Sequence, residues 1–167
     1  PILLKPSTMN KIQIIVCGKS IGNMSGVEYN QYKKNLIPVL KETYSKIENK
    51  NDIVVIEGAG SPAEINIKEE DISNFAMARI ADAPVILVAD IDRGGVFASI
   101  YGTIMLLKEE DRKRIKGIVI NKFRGNKEVL KSGFDIIENL TGVKTLGVIP
   151  YTDIDIEDED SLSEKYK

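Results

Sequence analysis

Four consecutive β-branched apolar residues, Ile53-Val54-Val55-Ile56, run directly into Glu57-Gly58-Ala59-Gly60-Ser61-Pro62. An unbroken apolar run has no polar face to turn toward water. It predicts a central strand of a parallel sheet, covered on both sides. That requirement confines the chain to a layered α/β architecture. Two other apolar runs break in the same style. Residues 85–89 end at Asp90-Ile91-Asp92-Arg93-Gly94-Gly95, and residues 117–120 end at Asn121-Lys122-Phe123-Arg124-Gly125.

Helical patterns lie between these runs. Tyr29, Tyr32, Leu36, Leu40, Thr43 and Ile47 recur at spacings of three and four, which predicts a long helix over 27–49 with one buried stripe. Pro38 falls inside it and should kink or divide it. Asp71 or Ser73 can cap a helix through Ile80. A helix from Val96 to Leu107 should turn Val96, Ile100, Ile104 and Leu107 inward, and another over 126–140 precedes a short strand at 145–149. Residues 108–116 read as a solvated charge run. The alternation of strand and helix predicts an α/β fold with a mostly parallel central sheet and helices on both faces.

The first part of the chain is read differently. Residues 2–5 read as a short buried strand ended by Pro6, residues 6–11 as a polar turn, and residues 13–17 as a strand leaving into a glycine-rich loop. Gly18-Lys19-Ser20 resembles the end of a phosphate-binding loop, but that motif needs a glycine five residues before its Gly-Lys pair. Gln13 holds that place, and the intervening strand formers cannot wrap amides around a phosphate.

With 167 residues, one domain is expected. A net charge of -2 gives no reason to expect nucleic acid or a membrane surface as partner. No apolar run reaches the ~20 residues of a membrane span. The chain has 1 Cys and 0 His, which fits a reducing, cytoplasmic setting and excludes His-based triads and His metal ligands in this segment. Pro1 opens in what reads as mid-strand, so the chain is expected to be a piece of a longer protein. Its acidic end, 153–167, reads as a solvated linker rather than a metal cluster.

In open α/β sheets ligands bind beyond the carboxyl ends of strands. Three such ends offer Glu57, then Asp90, Asp92 and Arg93, then Asn121 and Lys122. Gly58 and Gly60 let the backbone approach a ligand closely. Carboxylates there suit Mg²⁺, which takes one or two of them with water and phosphate oxygens. An Asn amide can read a purine edge because it donates and accepts at once. Together the three ends favour a nucleotide site.

These segments also resemble a known family. Residues 57–66, EGAGSPAEIN, resemble the EGAGSPAEINL signature of the cobyric acid synthases. Residues 88–99 resemble its VADIDRGGVFAS, residues 120–125 its INKFRG, residues 22–25 its GNMS, and residues 159–162 its EEDSL. The resemblance implies a P-loop NTPase-like fold similar to dethiobiotin synthetase. It implies residues 1–152 as part of an ATP-dependent synthetase domain and 153–167 as a linker toward a C-terminal glutamine amidotransferase domain. The implied reaction amidates the b, d, e and g carboxylates of adenosylcobyrinic acid a,c-diamide, a corrinoid, with ATP and Mg²⁺. Glu57 would ligate Mg²⁺ and Asn121 would contact adenine, with Gly58, Gly60 and Lys122 also at the nucleotide. Lys5 would sit near the phosphates or the substrate carboxylate, and Asp90, Asp92 and Arg93 would shape the active-site loop. The family's P-loop and its glutaminase are not among these residues, so the isolated segment is expected to be inactive. Where the family carries an Asp and then Ser-Gln after its Lys-Pro, this chain has Met9 and Ile12-Gln13. A homodimer is left open. The rival expectation is a non-catalytic α/β scaffold or binding module without a P-loop.

Overall fold

The computed structural model describes residues 2–8, 11–65 and 72–153. The expectations that rest on Met9, Asn66, Asp71 and the acidic stretch from residue 154 lie outside them. The chain divides into two compact units, one built on residues up to Ile56 and one running from Glu57 onward.

The first unit opens with an antiparallel meander. β1 (Ile2–Thr8), β2 (Lys11–Val16) and β3 (Lys19–Met24) lie in the order β1-β2-β3. This corrects the reading of 2–5 as a buried strand ended by Pro6, since β1 runs on to Thr8 and Leu3 and Leu4 are exposed, and the readings of 6–11 as a turn and of 18–26 as a loop. Pro6 stands within β1 opposite Ile12, a place open to proline because β1 is an edge strand of this sheet. Cys17 and Gly18 have φ of 49° and 81°. Two successive left-handed residues give the turn that matches strand twist in a two-residue hairpin. Gly18-Lys19-Ser20 is therefore a hairpin corner and the start of β3, in keeping with the rejection of a phosphate-binding loop there.

Ser25 caps α1 (Gly26–Tyr32) reciprocally with Glu28, each side chain accepting from the other's backbone N–H. A 3₁₀ turn (Lys33–Leu36) leads into α2 (Ile37–Glu48), with Pro38 in its first turn. The expected long helix is thus divided where proline, lacking an N–H, best fits. Leu36 is buried, but Ile47 is exposed, so the predicted stripe is incomplete.

The central strand expected over 53–56 is not formed. Residues 53–56 join no strand ladder, and Ile53 and Val55 are 82% and 90% exposed. Apolar character calls for burial, but a strand also needs a neighbour for its backbone N–H and C=O groups. Neither sheet among the described residues supplies one to this run.

The second unit is the α/β part. β4 (Val85–Asp90), β5 (Ile115–Phe123) and β6 (Thr145–Pro150) form a parallel sheet in the order β4-β5-β6. α3 (Phe75–Ile80) precedes β4; α4 (Val96–Leu106) and the short α5 (Glu109–Arg112) connect β4 to β5. A 3₁₀ turn (Lys127–Leu130) and α6 (Lys131–Thr141) connect β5 to β6. The α/β class with a parallel sheet and flanking helices is as expected. Val96, Ile100, Ile104 and Leu107 are all buried as their spacing predicts, in one core with Phe75, Ile118, Ile120 and Ile137. β4 turns Leu87 and Ala89 to this core and leaves Ile86 and Val88 exposed. The charge run 108–116 is not uniformly solvated. Asp111 is buried and ion-paired with Arg79, as a buried carboxylate must be.

Candidate functional site

Parallel strands bring their carboxyl ends to one edge of the sheet. Asp90 and Asn121 are register partners at the ends of β4 and β5. The Ile91 amide donates to the Asn121 carbonyl at 3.1 Å, and the Tyr151 amide donates to the Phe123 carbonyl at 2.8 Å. These links fix a polar cluster. Lys122 Nζ lies 2.7 Å from Asp90 Oδ2, while Asp90 Oδ1 accepts from the Asp92 amide at 2.8 Å. The Lys122 hydrogen bond, then the Asp92 amide, hold the Asp90 carboxyl below the ordinary carboxylate range. In return the hydrogen bond to Asp90 raises the Lys122 ammonium pKa. Lys122 has φ 61°, a strained backbone for a side chain of its size. Its amide donates to Asn121 Oδ1 at 2.9 Å. That leaves Asn121 one oxygen lone pair and both amide protons for a ligand. Arg124 Nε lies 3.3 Å from Asp92 Oδ1, and its guanidinium sits 3.3 Å from the centre of the Tyr151 ring. Arg93 is exposed and makes no hydrogen bond or ion pair with another described residue. Gly94 and Gly95 turn left-handed, with φ of 77° and 68°, to start α4.

The loop after Ile56 is built on different lines. Asn74 reaches back 15 residues to Ala59: its Oδ1 accepts from the Ala59 amide at 3.1 Å and its Nδ2 donates to the Ala59 carbonyl at 2.9 Å. Gly60 takes φ 66°. The Glu57 carboxylate is exposed and has no hydrogen-bond or ion-pair partner among the described residues. The close approach at Gly58 is made by Asn74, whose Oδ1 would lie 2.2 Å from a β-carbon placed there.

Of the residues singled out from sequence, Asp90, Asp92, Asn121 and Lys122 are brought together. Glu57, Gly58 and Gly60 share a second loop of the same unit. Lys5 stands opposite Gln13 in β1 of the other unit. Asn74, Arg124 and Tyr151 were not anticipated. Arg124 was visible within the 120–125 segment, but its stacking on Tyr151 is a contact between strand ends. Among the described residues no group of three or more acidic, Cys or His side chains could hold a metal ion. Among the described residues the singled-out set therefore offers the unpaired Glu57 carboxylate, the remaining hydrogen-bonding capacity of the Asn121 amide, the unpaired Arg93, and Lys122 and Arg124 held in ion pairs. That set suits a ligand bringing its own phosphates and metal. No helix among the described residues is long and apolar enough to cross a membrane.

The family described as AAA domain matches residues 27–157. The chain is 61% identical over 98% of its length to a protein named cobyric acid synthase from Limosilactobacillus reuteri. It is 58% identical over 98% of its length to the protein of that name from Streptococcus sanguinis, and 58% identical over 99% to that from Alkaliphilus metalliredigens. It spans 32% to 33% of the length of these relatives, about a third. No solved structure matches the chain.

Proposed function

This chain belongs to the AAA domain family, and we propose from that premise that it forms part of the ATP-dependent amide-ligase region of a cobyric acid synthase. The observation that carries the reading is its identity, along nearly the whole chain, to curated proteins of that name. In this reading residues 1–152 lie in the synthetase domain and 153–167 lead toward a glutaminase domain that supplies ammonia. The substrate is a corrinoid, adenosylcobyrinic acid a,c-diamide, amidated at its b, d, e and g side chains. The setting is the cytoplasm.

A carboxylate oxygen of the corrinoid attacks the γ-phosphorus of ATP, and the bond to the bridging oxygen breaks as ADP leaves with the electron pair. Ammonia then adds to the acyl carbon. The carbon–oxygen bond to phosphate breaks, phosphate leaves, and nitrogen loses a proton. Asn121 reads the adenine edge with its remaining lone pair and amide protons. Asp90, Asp92 and Arg93 shape the loop before α4, with Lys122 locked to Asp90. Arg93 offers positive charge to the transferring phosphoryl group. Bound Mg²⁺ would neutralise charge on that group. Glu57 would hold it, because an exposed, unpaired carboxylate fits an ion that takes few protein ligands and keeps waters and phosphate oxygens.

The test compares this 167-residue chain with the complete protein. Each is given ATP, Mg²⁺, glutamine or ammonia, and the diamide, and the corrinoid is followed by mass spectrometry. Stepwise conversion of carboxyl to amide is expected with the complete protein and not with the segment alone. A complete protein that neither hydrolyses ATP nor amidates the corrinoid would leave a non-catalytic scaffold as the better reading.

A further inference from the structure

We infer that Asn74 is a positioning residue whose clasp on both backbone groups of Ala59 holds the loop that presents Glu57. The inference rests on the reading of Glu57 as the metal-binding carboxylate.

Asn74 occupies the N-cap position of α3 yet makes no capping hydrogen bond to its own helix, and its φ/ψ of -69° and -101° are unlike a normal cap. An asparagine in this place ordinarily accepts from the first turn. Here its amide is turned away from α3 onto the Glu57 loop. Among the described residues, 57–60 make no other hydrogen bond. The two bonds reproduce what a neighbouring strand would give one residue, a donor to its carbonyl and an acceptor from its amide. A carboxamide offers both at once, whereas an ionised Asp only accepts.

Gly58 supports the same assignment. Its backbone is not left-handed, so no conformational demand calls for glycine there. What glycine provides is room, because a β-carbon would come within 2.2 Å of Asn74 Oδ1. The loop thus has a dedicated seat for the clasp, two residues from the carboxylate. Both bonds of the clasp go to backbone groups of Ala59, and neither uses the Glu57 carboxylate.

The experiment uses the complete protein with Asn74→Ala, Asn74→Asp, Gly58→Ala, Glu57→Gln and the Gly58→Ala/Asn74→Ala pair. Mn²⁺ affinity is read by electron paramagnetic resonance, and exchange of the Ala59 amide by hydrogen–deuterium exchange. Asn74→Ala should speed Ala59 exchange and weaken Mn²⁺ binding about tenfold or more, the scale on which groups that orient metal ligands act. Corrinoid KM should not move. Asn74→Asp keeps the acceptor and loses the donor, so it should fall between; it also carries the test if the alanine variant fails to fold. Gly58→Ala should weaken Mn²⁺ binding in the parent and add little once Asn74 is gone, since the clash has been removed. Fast Ala59 exchange with unchanged Mn²⁺ affinity, or additive effects of the two substitutions, would overturn the positioning role. Glu57→Gln reports separately: if it leaves Mn²⁺ affinity intact, the metal reading fails and takes this inference with it. If it weakens Mn²⁺ binding while Asn74→Ala and Asn74→Asp do not, only the role of Asn74 is lost.

Discussion

Asp90 has both carboxylate oxygens engaged, one by Lys122 and one by the Asp92 amide, whereas Glu57 has neither engaged by a described residue. Both acids follow an apolar run and both precede a pair of glycines. The difference lies in how each loop is braced. The loop after β4 is braced by Lys122 and Arg124 from the end of β5, so its two acids are already committed to those cations. The loop at Glu57 is braced through its backbone by Asn74, and the acid stays available. A carboxylate already paired with an ammonium must give up that pair to take a cation. An unpaired one need only shed water. Glu57 is therefore the stronger candidate for the metal, and Asp90 for holding Lys122 in its left-handed backbone.

The largest expected effect follows directly. In the complete protein, Glu57→Gln should lower kcat by about a hundredfold or more, the scale of removing one group that stabilises transition-state charge. The fold should be kept, as the side chain is exposed. Asp90→Asn should lower kcat far less. Steady-state kinetics of the two variants side by side decide the matter: equal losses would erase the contrast, and a kcat within a few-fold of wild type for Glu57→Gln would make it a solvated turn residue.

A smaller effect is expected at Asn121. One oxygen lone pair is taken by the Lys122 amide, so the side chain is oriented before any ligand arrives. Truncation would strand a hydrogen-bonding group on the base, which costs roughly 1–3 kcal/mol. Asn121→Ala should thus raise the KM for ATP about tenfold and relax the preference for ATP over GTP, with the KM for the diamide nearly unchanged. A raised diamide KM with an unaltered nucleotide profile would move Asn121 to the acceptor side.

What was legible in the sequence follows from the range of the interactions involved. The inward face of α4 follows from local periodicity and is as its spacing predicts, and the three parallel strands are legible as apolar runs, although β5 starts at Ile115, inside the stretch read as a charge run, and continues to Phe123. The run at 53–56 was not, because hydrophobicity specifies burial while a ladder depends on a neighbour. The hairpin at Cys17-Gly18 was missed because cysteine is not a usual residue for its left-handed corner, and because β3 is mostly polar. The capping box of Ser25 and Glu28 had a readable signal three residues apart that was passed over. Asp111 was placed in a solvated run because its partner, Arg79, lies 32 positions away. The clasp of Asn74 spans 15 positions and joins side chain to backbone, a pairing that leaves no periodic trace.

The smallest effect concerns the Asp90–Lys122 pair and its dependence on pH. The Lys122 hydrogen bond lowers the Asp90 pKa from its ordinary value of 3.8. A carboxyl depressed on folding contributes stability above the unfolded value and loses it as pH falls through the folded one. The Lys122 ammonium is raised from its ordinary value of 10.5. It therefore contributes below that value and loses the contribution as pH climbs through the raised one. The pair should give a plateau of extra stability with an acid edge and an alkaline edge. Both groups are well exposed, so the plateau is low and salt should lower it further. Asp90→Asn should reduce the thermal midpoint slightly between about pH 5 and 9, and its curve should meet that of wild type toward either extreme. Lys122→Gly separates two contributions, since it deletes the ion pair but also relieves the φ of 61°. It should therefore lower the midpoint less than Lys122→Ala, which loses the pair and keeps the strain. Thermal melts of the complete protein across pH, at low and high salt, test both statements. A difference between Asp90→Asn and wild type that widens on acidification, or a glycine variant less stable than the alanine one, would show that the cluster is held by something other than this pair and this turn.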